Sequence, residues 1–95
     1  MLAIIRSVSI ERFICELAAY IEADFKRWAE FDKCARVASH SPHGVIELMP
    51  ASDGELYSYK YVNGHPQNAD SGLQTVAAFG VLALVETGYP ILVSE

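Results

Sequence analysis

Basic side chains are scarce in this 95-residue chain: seven Lys and Arg stand against twelve Asp and Glu, and the net charge is -5. No basic stripe can neutralise a phosphate backbone, so nucleic acid is not an expected partner. Cysteine is scarcer still, since Cys15 and Cys34 are too few for a disulfide framework. The longest wholly apolar run, residues 76–85, is about half of what a bilayer-spanning helix needs, so no membrane partner is expected. The amino end also lacks the form of a secretory signal, because its short apolar run 1–5 precedes Arg6 instead of following a charge. A reduced, cytoplasmic setting is the expectation.

What is present describes one small domain, residues 1–95, with enough apolar residues for a single core. Charge is unevenly spread along it. Ahead of residue 37, six basic residues alternate with six acids and read as a solvated helix face, whereas residues 36–95 hold six acids and only Arg36 and Lys60 as cations. A lysine alone in a tyrosine-rich strand is the exception around which the rest is read.

Residues 1–9 have no clear period and are expected to form a short strand or a frayed end. From Ile10, the residues Phe13, Ile14, Leu17, Ile21, Phe25 and Trp28 recur at three and four, which predicts one amphipathic helix over 10–31 with Ser9 as its N-cap. Residues 34–41 could be a strand, Pro42 and Gly44 mark a turn, and 45–49 reads as a strand stopped by Pro50. Asp53-Gly54 signals a hairpin into the strand 56–63, which carries Tyr57, Tyr59 and Tyr61 on one face and Lys60 on the other. Residues 63–72 form a loop by composition. Residues 76–86 and 89–94 should then pair as a hairpin across Thr87-Gly88. The fold class is α+β, one long amphipathic helix packed on a mixed or antiparallel sheet, with Phe13, Leu17, Ile21, Phe25, Val76, Phe79 and Leu82 buried.

His40, His43 and His65 do not have metal-ligand spacing, because Pro42 prevents the first two from sharing a helical face, and no metal is expected. Cys34 reads as a buried, inert thiol. No GxGxxG phosphate cradle occurs. Arg36 and Lys60 offer a planar fork and a point charge that together suit a carboxylate, although spacing alone favours two solvated surface charges. Glu47 could meet a substrate ammonium group or face water.

Three segments carry more than spacing does: FKRWAEFDKCARVASHSPHGVIELMP (25–50), YKYVNGHPQN (59–68) and GLQTVAAFGVLALVETGYPILVSE (72–95). Together they resemble the amino-terminal part of the ornithine cyclodeaminase and mu-crystallin family, with the likeness running from about Phe13 to Glu95. The resemblance implies an NAD-dependent ammonia-lyase that converts L-ornithine to L-proline in proline biosynthesis and ornithine catabolism. In that chemistry NAD takes a hydride from the α-carbon, ammonia leaves as the ring closes, and the hydride returns. The family's carboxylate-holding arginine falls on Arg36, and the lysine of its KYVNGHP motif falls on Lys60. Its cofactor-approaching threonine, in the GL-x-T motif, falls on Thr75. Glu47 and Met49 match the IELMP strand that lines the substrate pocket.

The same resemblance places a Rossmann domain and the catalytic aspartate beyond Glu95. The chain is therefore expected to be an amino-terminal fragment with no catalytic residue of its own, inactive and unable to retain NAD alone, and part of a homodimer when complete. The alternative is a non-catalytic binding or dimerisation module of the mu-crystallin type.

Overall fold

The computed structural model describes residues 2–95 and divides them into two compact units, the first through Phe31 and the second Asp32–Glu95. In the first, α1 spans Leu2–Val8 and α2 spans Ile10–Lys26. Helix replaces the expected strand or frayed end here because Ile5 and Val8, three residues apart, share a helical face and are half-buried; Met1 lies outside the described residues. Ser9 separates the helices with φ 69°, and its hydroxyl accepts from the Arg12 N–H at 3.4 Å, the predicted N-cap.

The long helix stops at Lys26, short of the expected residue 31. Arg27 turns back on Asp24 through Nε and Nη2, at 3.1 and 3.0 Å, and sits 4.6 Å over the Phe31 ring. A 3₁₀ turn, Trp28–Glu30, follows. Phe25, Trp28 and Phe31 repeat at three residues, the period of a 3₁₀ turn, and Phe25 stacks on Trp28 at 5.5 Å. The apolar stripe of α2 is present and exposed: Leu17, Ile21 and Phe25 are exposed, Phe25 to 66%, and Phe13 is half-buried. Spacing sets which residues share a helical face and does not by itself set their burial.

The second unit is a six-stranded antiparallel sheet, which decides between the mixed and antiparallel alternatives. Its strands are β1 (Asp32–Lys33), β2 (Val37–Ser41), β3 (Gly44–Ser52), β4 (Leu56–Gly64), β5 (Ala78–Leu84) and β6 (Pro90–Ser94). β3, β4, β5 and β6 lie side by side in chain order, and β1 and β2 both pair with the outer edge of β3. Pro50 does not stop β3. It lies opposite the interruption between β1 and β2, where the register leaves no partner on that edge, and a missing N–H is tolerated there.

Both predicted hairpins form. Asp53 Oδ1 accepts from the N–H groups of Glu55 and Leu56, at 2.9 and 2.7 Å, with Gly54 at φ 95°. Between β5 and β6 the register slips once, Leu82 facing Leu92 and Ala83 facing Pro90, so Ile91 is the extra residue of a bulge. Gly44 is required by close approach: a Cβ there would collide with the Gly64 carbonyl oxygen.

Cross-strand partners share a face, which sorts the sheet into two. One face carries Tyr57, Tyr59, Tyr61 and Phe79, with Tyr61 stacked on Phe79 at 5.0 Å and Tyr59 edge-on to it at 6.2 Å. The other carries Glu47, Met49, Lys60, Val62, Leu82 and Leu92. Among the described residues only Ala83, 8% exposed, is buried. Phe79 and Val76 are exposed where burial was expected, Leu82 is half-buried, and Val76 lies before β5 begins. Cys34 is exposed and unpaired, so it is not the buried thiol that its sequence suggests. It lies in the interruption between β1 and β2, where the chain has no ladder partner on β3.

Candidate functional site

The tyrosine strand determines where the cations go. With Tyr57, Tyr59 and Tyr61 on one face of β4, alternation sends Lys60 to the other, where its cross-strand neighbours are Met49 on β3 and Gly80 on β5. Arg36 precedes β2, and its Nη1 donates to Glu47 Oε2 at 3.1 Å. Glu47 is on the Lys60 face of β3, one diagonal step from Lys60, so Arg36, Glu47, Met49 and Lys60 are gathered on one face.

The electrostatics of this face are asymmetric. Arg36 is 59% exposed and already paired with a carboxylate that is only 22% exposed. Lys60 is exposed, and among the described residues no carboxylate pairs with it. An anion reaching this face therefore meets one uncommitted ammonium and a guanidinium whose remaining N–H groups are still available. Next to Lys60 the sheet is dished into a depression of about 310 Å³, walled by Met49, Leu82 and Leu92 and floored by Gly80. A larger cavity of about 760 Å³ opens on the tyrosine face instead, lined by Tyr57, Tyr59 and Val81, and holds neither Arg36 nor Lys60.

Thr75 is not gathered with the cations. It lies in the segment before β5, and its carbonyl accepts from the His65 N–H at 2.8 Å. His65 is five residues beyond Lys60, which sets this meeting point roughly 15 Å along the strand direction. The Thr75 hydroxyl makes no hydrogen bond among the described residues.

The residues that hold this segment were not singled out from sequence. Asn63 Oδ1 accepts from the Ala77 N–H at 2.6 Å, and its Nδ2 lies 2.9 Å from His65 Nδ1. Asn68 Nδ2 donates to the Gln74 carbonyl at 3.0 Å, from a 3₁₀ turn, Pro66–Ser71, that occupies much of the expected loop. The signal was available: two asparagines flanking Gly64 and Pro66 are residue types that satisfy backbone groups in turns. Among the described residues no three His, Cys, Asp or Glu side chains are grouped to hold a metal ion, and no helix is long and apolar enough to cross a membrane.

The model of the ornithine cyclodeaminase/mu-crystallin family matches residues 1–95. This chain belongs to that family. The match includes the stretch ahead of Phe13, so it extends beyond the likeness expected from sequence, which begins at about Phe13. An ornithine cyclodeaminase of Brucella suis biovar 1 is 62% identical over 95 residues, all of this chain and 26% of the relative. The chain thus spans about a quarter of the length of that cyclodeaminase. Among solved structures, an archaeal alanine dehydrogenase dimer with bound NAD superposes with a TM-score of 0.64 at 34% identity, over 72% of this chain and 21% of the other. A Thermococcus litoralis Δ1-pyrroline-2-carboxylate reductase in complex with NADH and L-proline gives 0.62 at 27%, over 70% and 22%.

Proposed function

We propose that this chain is the substrate-binding and dimerisation domain of an NAD-dependent ornithine cyclodeaminase, the cytoplasmic lyase that converts L-ornithine to L-proline and ammonia. The observation that carries the reading is the gathering of Arg36, Glu47, Met49 and Lys60 on one sheet face. The identity to the Brucella suis cyclodeaminase supports it over all 95 residues. The reductase solved with L-proline supports a small amino-acid ligand for this fold.

In this reading Lys60 and the free edge of Arg36 hold the substrate α-carboxylate. Glu47 keeps Arg36 turned toward the site and presents a carboxylate to a substrate ammonium group, and Met49 gives the aliphatic chain an apolar wall. Bidentate and point-charge recognition in combination orient the α-carbon as well as bind it. Thr75, with its hydroxyl uncommitted, suits the edge of NAD, which when bound supplies a hydride acceptor and donor. Thr75 is assigned to that cofactor by the family resemblance of its GL-x-T motif, and the chain has no glycine-rich phosphate cradle beside it.

A second reading, a non-catalytic dimerisation module, rests on the exposed face with Tyr57, Phe79 and Val93. One experiment separates the two. The 95-residue chain alone should release no ammonia from L-ornithine and retain no NAD. A hybrid in which it replaces the matching segment of the Brucella suis cyclodeaminase should be active. Ammonia release by the chain alone, or an inactive hybrid that folds and dimerises, would count against the first reading.

A further inference from the structure

Met49, Lys60, Gly80 and Ser94 form one transverse row across β3, β4, β5 and β6, all on the same face. Adjacent strands are about 4.8 Å apart, so the backbones of Lys60 and Ser94 are separated by about 10 Å with only Gly80 between them. Any larger residue at position 80 would stand in that gap. Its absence leaves the depression that Lys60 and Ser94 both line, with Leu82 and Leu92 as apolar walls in the neighbouring row.

The backbone does not demand a glycine here. Gly80 has no positive φ, and a Cβ built on it would meet only the Tyr59 carbonyl oxygen at 3.5 Å, an ordinary contact. What it preserves is open space between an ammonium and a hydroxyl. Ser94 is half-buried, and among the described residues its hydroxyl has no hydrogen-bond partner. A hydroxyl held in a depression opposite a free lysine is placed to donate to an anion that the lysine attracts.

We infer that Ser94 is a further substrate-binding residue, donating its hydroxyl to the carboxylate that Lys60 holds, and that Gly80 determines specificity by leaving room for that carboxylate between them. The ligand class is a small amino acid with an aliphatic chain, its carboxylate over Gly80 and its methylenes against Met49, toward Glu47. This rests on the carboxylate-site reading of Lys60 and adds two residues to it; with the carboxylate over Gly80, two strands from β3, Arg36 acts through Glu47, which it holds toward the substrate ammonium group.

The test uses the active hybrid with the Brucella suis cyclodeaminase and L-ornithine as the probe, with kcat and KM measured separately. Losing one hydrogen bond to a charged group should raise KM about ten- to a hundredfold in Ser94→Ala, with kcat changed less than about twofold. Ser94→Thr, which keeps the hydroxyl, should recover most of the loss. Gly80→Val, a residue suited to a strand, should raise KM at least as much while thermal unfolding shows the hybrid folded; Gly80→Ala, smaller and free of any backbone clash, should give an intermediate KM. If Lys60→Met raises KM while Ser94→Ala and both Gly80 variants leave it within about twofold, the inference is wrong and the Lys60 reading stands. If Lys60→Met is also neutral, both fall.

Discussion

Arg36 and Glu47 are joined across the edge of the sheet by a single ion pair, Nη1 to Oε2 at 3.1 Å, that ties the residue before β2 to the middle of β3. Its consequence is directional more than energetic. Arg36 lies outside the strand ladder, so no cross-strand partner fixes its side chain, and Glu47 is what turns the guanidinium toward the face that carries Lys60.

The energetic part should be small. With Arg36 59% exposed, solvent screening holds an ion pair of this kind to about 1 kcal/mol or less. Glu47→Gln should therefore shift the urea midpoint of the chain slightly, and less at high salt. In the hybrid enzyme the same change should raise KM for ornithine, and a double cycle with Arg36→Lys should show the two residues to be coupled.

Lys60→Met should weaken ornithine engagement in the hybrid by about tenfold to over a hundredfold, since a charge-assisted hydrogen bond contributes roughly 1.5–3 kcal/mol. Folding should change much less, because Lys60 is exposed and has no carboxylate partner among the described residues. The check is a KM measurement beside a denaturation curve. A large loss of stability with unchanged KM would make Lys60 a structural residue.

Gly44→Ala should be among the most destabilising single-methyl changes in the sheet. The added carbon collides with the Gly64 carbonyl oxygen, so β3 and β4 must separate at that end. The expected cost is about 2–4 kcal/mol by equilibrium urea unfolding. Gly54→Ala meets nothing within 4 Å, although its φ of 95° still strains an alanine, and should cost less.

Asn63→Ala should free the segment that carries Thr75. Losing the bond from the Ala77 N–H at 2.6 Å, together with the side-chain contact to His65, leaves residues 73–77 held chiefly by backbone hydrogen bonds. Amide exchange at Ala77 should accelerate at least tenfold, while amides within β3 and β4 stay protected. In the hybrid, affinity for NAD should fall more than affinity for ornithine.

The primary sequence by itself determined the alternation that separates Lys60 from the tyrosines, the Ser9 cap, the Asp53-Gly54 hairpin and the family wording that points to Arg36, Lys60 and Thr75. These are local properties, carried by period, turn chemistry or the order of residues. Tertiary structure decided the rest. That Pro50 continues β3 depends on a gap between two other strands. That Glu47 meets Arg36 depends on the register of β2 against β3, and that Ser94 faces Lys60 across Gly80 depends on two successive hairpin registers. The apolar stripe of α2 shows the limit most plainly: its spacing was legible in Ile10, Ile14, Leu17, Ile21 and Phe25, yet every one of them is exposed. Periodicity specifies which side chains share a face, and the burial of that face is not written in the spacing.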